Sequence, residues 1–480
     1  MANDVSYDTL IPNNVDLSSD RRLRRALETW QPKFLNWWRE SGPTDFQQAE
    51  VYLRTAVGVE RGAWAKFGFV RMPEYRWGVL LAPQEEGRTI PFGEHKGEPA
   101  WQEIPGEYRA LIQRLIVIQG DTEPASVEQQ RFLGHTAPSL YDMRNVFQVN
   151  VEEGRHLWAM AYLLHKYFGR DGREEADMLL ERTSGDADRP RILGAFNEAT
   201  PDWLSFFLFT SFTDRDGKMQ LESLAQSGFD PLSRTCRFML TEEGHHMFVG
   251  KSGVERIIDR TSVVMHEHGI TDPGDVGRLH ELRVIDLPLL QRKMNFHFSV
   301  TLDLFGSEIS TNAANLFNAG IKGRFHETDI DDDHQLRDDT YPVLTFKDGR
   351  FVTEAMSAIT AINARLLDDY IVDCQKVVAA WNKVIKSHGI DFELVLPHRA
   401  FNRRQGMFAD MYVSPGGAVL NEATWLAEHD SFLGSSEDST YVLSLMKPVD
   451  QVGEYADWIS PPKSGVGGKP GEFEYVRIPS

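Results

Sequence analysis

The stretch NVEEGRHLWAM at residues 150–160 and the stretch LTEEGHHMFVG at residues 240–250 carry one shared pattern, a glutamate followed three residues later by a histidine. On an α-helix that spacing puts both side chains on one face, about one turn apart. Glu153 with His156, and Glu243 with His246, can therefore each grip one metal ion. Each pair has a second acid upstream at nearly the same distance. Glu123 lies 30 residues before Glu153, and Asp214 lies 29 residues before Glu243. That is enough chain for two helical segments and a turn. A four-helix carboxylate site takes one acid from each of two helices and a Glu-x-x-His pair from the other two. The chain thus offers six ligands in two half-sites: Glu123, Glu153 and His156, then Asp214, Glu243 and His246. Carboxylates mixed with imidazole suit iron or manganese better than structural zinc, which favours closed, thiolate-rich sites. A pair of such ions points to dioxygen activation.

The register supports this reading. Val146, Val149, Leu157 and Met160 share the face of Glu153, and Cys236, Met239, Leu240 and Met247 share that of Glu243. A carboxylate on an apolar face is costly unless paired or metal-bound. Buried salt bridges are the bland alternative, but no cation recurs at the right helical positions. The neighbouring register, Glu152 with Arg155, faces the more polar Asn145 and Gln148. Glu242 with His245 is a competing second pair, set aside because its first-half equivalent ends in Arg155, which cannot bind a metal. Pro124 directly follows Glu123, so a kink or bulge is expected there, with Gly120 as the residue that yields. If the helix instead ends at this point, Asp121 replaces Glu123.

The chain has 480 residues, a net charge of −20 and two cysteines, Cys236 and Cys374. Two cysteines exclude a disulfide scaffold and make a thiolate zinc site or a resident iron–sulfur cluster unexpected. The acidic balance disfavours nucleic acid and anionic membranes. The N-terminal MANDVSYDTLIPNN lacks the basic and apolar regions of a signal peptide, and no apolar run approaches a membrane span; the expectation is a cytoplasmic protein. Helices are expected near 20–40, near 107–130, 138–169, 199–225 and 230–259 (the bundle), and again within 280–325 and 353–388. Residues 68–82 carry β-prone and turn signals. From about 390 strand and turn signals increase, ending in the draped run SPPKSGVGGKPGE. The expected fold is mainly α: a four-helix bundle over 106–264 holding the dimetal site, with a mixed N-terminal region over 1–105. Additional helices and irregular or strand structure over 265–480 would pack on the bundle.

Other features are weaker. The aromatic run from Phe206 to Phe212 is foremost core packing, with some rings free to wall a pocket beside the metals. Asp329 to Asp333 lacks the glycine and terminal glutamate of a calcium loop and reads as a solvated turn. Gln119, one turn before Glu123, could hydrogen-bond a substrate carbonyl; a supporting or purely structural role fits it equally. Lys322, Arg324, Arg399, Arg403 and Arg404 are the best candidates for phosphate contacts, against the ordinary alternative of surface salt bridges.

The segments IQGDTEP (118–124), NVEEGRHLWAM and LTEEGHHMFVG, together with FNRRQG (401–406), resemble the oxygenase components of benzoyl-CoA 2,3-epoxidases. The resemblance runs over essentially the whole chain, and an aspartate at the position of Asp214 agrees with that family. It implies a ferritin-like di-iron core that uses dioxygen and two electrons to epoxidise the ring of benzoyl-CoA, with water as the second product. It also implies that the electrons come from NADPH through a separate flavin and iron–sulfur reductase. A ferritin-like iron-handling protein is the alternative; such chains are usually bare bundles, and this one carries hundreds of further residues. The chain shows no Gly-rich dinucleotide fingerprint. The purified chain is accordingly expected to leave NADPH unoxidised even with benzoyl-CoA present, and NADPH absorbance checks this directly.

Overall fold

Asp20 opens the first helix, its carboxylate accepting from the backbone amides of Arg22 and Leu23 at 3.1 and 2.9 Å; such a cap satisfies amides a helix start leaves orphaned. In the computed structural model, which describes Val5, residues 9–59 and residues 68–479, this helix is α1 (Arg21–Ser41). Half of the N-terminal stretch read above for a leader lies outside the described residues. The bundle region follows as α2 (Arg109–Gln129), α3 (Leu140–Tyr167), α4 (Gly169–Glu181), α5 (Trp203–Ala225) and α6 (Asp230–Glu267). Beyond it come α7 (Val276–Glu281), α8 (Leu287–Leu302), α9 (Thr311–Asn318), α10 (Ile362–Ser387), α11 (Glu422–Leu433) and α12 (Ser436–Leu445). The architecture is mainly helical.

α3 is the central rod. Every residue from Leu140 to His165 is buried, the signature of a helix covered on all sides. α2 packs on one flank of it and α6 on another, while α5 and α6 pair antiparallel across a short connection. α1 lays Leu27, Trp30, Phe34 and Trp38 onto this assembly; Trp30 meets Trp158 edge-on at 4.8 Å. α8 and α10 cover the outer sides of α5 and α6. α2 runs through Pro124 to Gln129 rather than ending there. Asp121 turns away from the bundle axis: its carboxylate takes Arg191 at 3.1 Å, Arg182 at 3.4 Å and the Ile192 amide at 2.7 Å. It is thereby committed to holding the 182–192 segment.

Two small sheets complete the described structure. β1 (Glu50–Leu53) lies between β2 (Gly68–Arg71) and the C-terminal β5 (Val476–Arg477), antiparallel to both. β3 (Thr340–Lys347) and β4 (Arg350–Ser357) form a hairpin closed by Asp348 and Gly349, with φ of 51° and 76°, the backbone a tight primed turn requires. This corrects the helical expectation over 353–361, since α10 begins only at Ile362. The expectation of strand character beyond 390 is also corrected. Two helices stand there, capped by Asn421 and by a Ser435–Asp438 capping box, and β5 has only two residues. The final run drapes over the bundle: Arg256 of α6 donates to the Ser460 carbonyl at 2.6 Å, and Tyr475 is buried.

Close contact between α5 and α6 depends on glycine. A Cβ at Gly250 would sit 2.4 Å from the Ser211 backbone nitrogen, and one at Gly253 would sit 2.2 Å from the Phe207 ring. Gly250→Ala should force the two helices apart and lower stability by about 1–3 kcal/mol, the usual cost of overpacking. Urea denaturation of the variant beside the wild type measures this.

Candidate metal centre

The four bundle helices bring Glu123, Glu153, His156, Asp214, Glu243 and His246 together in one buried spot. Glu123 comes from α2, Glu153 and His156 from α3, Asp214 from α5, and Glu243 and His246 from α6. The two imidazoles face each other with ring centroids 6.0 Å apart. His156 Nδ1 lies 3.3 Å from Glu123, 3.6 Å from Glu153 and 3.7 Å from Glu243. His246 Nδ1 lies 3.6 Å from Glu153, 3.6 Å from Glu243 and 3.9 Å from Asp214. Glu153 and Glu243 thus each reach both imidazoles, one carboxylate oxygen toward each, while Glu123 and Asp214 serve one apiece. Two sets of donor atoms converge to within 4.8 Å, Glu123 with Glu153 and His156, and Glu153 with Asp214 and His246; these clusters could hold metal ions.

Burial makes the spot costly for charged groups on their own. All six side chains are buried, and His156 Nδ1, His246 Nδ1 and Asp214 Oδ2 lack hydrogen-bond partners. Orphaned buried acceptors are costly. Burial pushes the Glu153 and Asp214 carboxyls well above the usual carboxylate range. It would lower both histidines, but the surrounding carboxylates outweigh it and raise them. Cations placed between these groups would satisfy the orphaned atoms and displace the protons. The donor set, carboxylate and imidazole without thiolate, fits iron or manganese.

The two outer nitrogens reveal residues that the motif reading passed over. His156 Nε2 lies 3.0 Å from Glu242, and His246 Nε2 lies 3.1 Å from Glu152. The glutamate that precedes each Glu-x-x-His pair therefore braces the histidine of the opposite pair. A carboxylate acceptor at Nε2 holds the proton there and leaves the Nδ1 lone pair aimed into the centre. Arg155 closes the arrangement with a short ion pair to Glu242 and a Nη1 contact to the Tyr75 hydroxyl at 3.3 Å. On the other side Gln148 holds Glu152 and takes Arg144 at 2.9 Å. The doubled glutamate in both motifs was the available signal. His245, whose pairing with Glu242 was set aside, sits instead against Arg144, and burial together with that cation lowers it well below the ordinary imidazole range.

A cavity of about 310 Å³ abuts this centre, and Gln119 and Thr122 stand on its wall. Both donate to Glu123 Oε1 at 3.2 Å, so its wall touches the centre through one layer of side chain. Of the basic residues singled out above, Lys322 and Arg324 line the cavity, whereas Arg399, Arg403 and Arg404 do not. Arg399 pairs with Asp368, and the exposed Arg404 with Glu198. Arg403 is buried between Asp303 at 2.8 Å and Glu308 at 2.9 Å, which commits it to the fold rather than to a phosphate. Arg324 is held by Glu327 and Asp332, each at 2.6 Å, so Asp332 is not the purely solvated acid expected of that turn. Phe196, Phe305 and Phe325 supply aromatic walls. The Phe206 to Phe212 run is core, with all four phenylalanines buried.

A mainly helical, ferritin-like fold with a buried carboxylate–imidazole centre and an adjoining aromatic cavity defines the class of protein. No protein-family model matches the chain. It is 57% identical over 474 residues to the benzoyl-CoA oxygenase component B of Aromatoleum evansii, across 99% of this chain and 100% of that protein. The chain belongs to the benzoyl-CoA oxygenase component B family. Among the described residues, no helix is long and apolar enough to cross a membrane.

If Glu242 orients His156, Glu242→Ala should weaken metal binding roughly 10- to 100-fold, the usual effect of losing such a brace. Competition with a calibrated chelator measures it; unchanged affinity would remove Glu242 from the account.

Proposed function

We propose that the chain is the oxygen-activating component of a benzoyl-CoA epoxidase. One observation carries this reading: two unpartnered imidazole nitrogens face a ring of four buried carboxylates, beside a cavity whose wall reaches Glu123. The relative's name supplies the substrate. Glu123, Glu153, His156, Asp214, Glu243 and His246 would hold two iron ions, which when bound supply the binding and two-electron reduction of dioxygen. One oxygen atom enters the 2,3 bond of the ring and the other leaves as water, with NADPH and a proton as the source of reducing equivalents. Cys236 and Cys374 are both buried and stand on different helices, α6 and α10, which fits electrons that come through a separate flavin and iron–sulfur reductase.

The chain's own residues then do three things. Glu153 and Glu243, each reaching both imidazoles, would fix the spacing of the two ions. Gln119 and Thr122 hold Glu123 Oε1 and leave the ring a wall to lie against. The apolar lining from Phe196, Phe305 and Phe325 excludes water and accepts a flat ring. The cavity suits a benzoyl group but not a whole CoA, so the CoA arm runs outward past the mouth, where its remote binding energy positions the ring. The bundle of 106–264 would be the catalytic unit, with 1–105 and 265–480 as its walls. An open aromatic cavity favours this over iron handling, which needs no organic pocket.

Iron-loaded chain, a matched reductase, NADPH and benzoyl-CoA should consume oxygen together with NADPH and yield an epoxide carrying one atom from labelled dioxygen. Glu153→Ala should abolish turnover while leaving helical circular dichroism unchanged. Oxygen uptake without labelled product, or full turnover in Glu153→Ala, would contradict the proposal.

A further inference from the structure

The cavity has a second polar face, away from Glu123. Asp216 and Gln220 of α5 stand there with Lys322, which follows α9. Lys322 Nζ donates to Gln220 Oε1 at 2.5 Å, and Gln220 Nε2 donates to Asp216 Oδ1 at 2.9 Å. Asp216 is buried. An ammonium carries three donors; among the described residues Gln220 is the one hydrogen-bond acceptor that Lys322 reaches. The other cations of the lining are differently placed. Arg324 is taken by Glu327 and Asp332, and Arg365 lies over the Tyr341 ring at 5.9 Å. The backbone on both sides of Lys322 is pinned. Its own amide donates to Leu316 O at 3.2 Å, the Gly323 amide donates to Ser223 O at 3.0 Å, and Arg324 is clamped. A long, flexible side chain is thus held over the cavity from a rigid base.

Benzoyl-CoA gives that lysine an obvious partner. Asp216 and Gln220 lie two and six residues beyond Asp214 on α5, about 3 and 9 Å along the axis. Gln119, Thr122, Asp216, Gln220 and Lys322 line one cavity, so a ring seated against the first two has its acyl carbonyl in the same space as the lysine. Both amide hydrogens of Gln119 already have partners, Glu123 Oε1 at 3.2 Å and Thr122 Oγ1 at 3.4 Å, so it would have to give one up to take that oxygen. The ring is apolar and nearly featureless, so a hold on the carbonyl next to it, added to that of the distant CoA arm, helps present the 2,3 bond to the centre rather than the 3,4 bond. We propose that Lys322 hydrogen-bonds the thioester carbonyl oxygen of the substrate, with Gln220 and Asp216 as positioning residues that aim its ammonium. This rests on the substrate reading above and assigns Lys322 to the acyl group instead of a CoA phosphate.

The experiment compares benzoyl-CoA with S-benzyl-CoA, a thioether that keeps the ring and the whole CoA arm but lacks the carbonyl. Calorimetry on the metal-loaded full chain measures both affinities. Wild type should prefer the thioester by roughly tenfold or more, as losing a charged hydrogen bond implies. Lys322→Met should bring benzoyl-CoA down to the thioether's affinity and leave the thioether unchanged. Lys322→Gln, a gentler change that retains a neutral donor, should fall between. An undiminished preference in either variant overturns the assignment, as does a wild type that binds both compounds equally. A wild type that binds neither overturns the substrate reading, and the assignment with it.

Discussion

Four carboxylates and two imidazoles buried against one another cannot be left to themselves. Taking charged groups out of water is expensive, and like charges at this spacing add to the cost. A set of this kind suits a site that receives cations, and the features around it serve the same end. Glu153 and Glu243 each touch both histidines, so displacing either helix would unbalance both halves at once. The near-identical motifs on α3 and α6 give the centre an approximate two-fold character, with Glu123 and Asp214 as the outer members.

The braces outside the ligands tie the halves together. Glu152 of α3 holds His246 of α6, and Glu242 of α6 holds His156 of α3. Arg155, paired with Glu242 and 3.9 Å from Glu152, stitches both. The glycines of α6 permit the close approach to α5 that brings Asp214 into range. Ligand geometry and helix packing are in this sense one problem, and the apolar residues around Glu153 and Glu243 keep water from relaxing it.

Much of this was legible in the residues. The helical period and the paired motifs locate α2, α3, α5 and α6 to within a few residues, except the far end of α6, which runs on to Glu267. The six candidate ligands meet as their spacing implies. Other parts were hidden for physical reasons. The β3–β4 hairpin carried its signal in Asp348-Gly349, but the alternation beside it was overshadowed by the helix that follows. α11 and α12 are short and lie in turn-rich sequence, where capping by Asn421 and Ser435 is the only strong cue. The fate of Arg403 could not be read locally, because Asp303 and Glu308 stand about a hundred residues away in the chain. Glu152 and Glu242 could have been suspected from the doubled acids; that they cross between halves is a property of the packed bundle.

Anomalous X-ray scattering at the iron edge, recorded from crystals of the iron-loaded chain, tests the central claim most directly. The account predicts two peaks per chain, one beside His156 Nδ1 and one beside His246 Nδ1, both within reach of Glu153 and Glu243. No peak between those histidines, or a single ion held elsewhere, would contradict it.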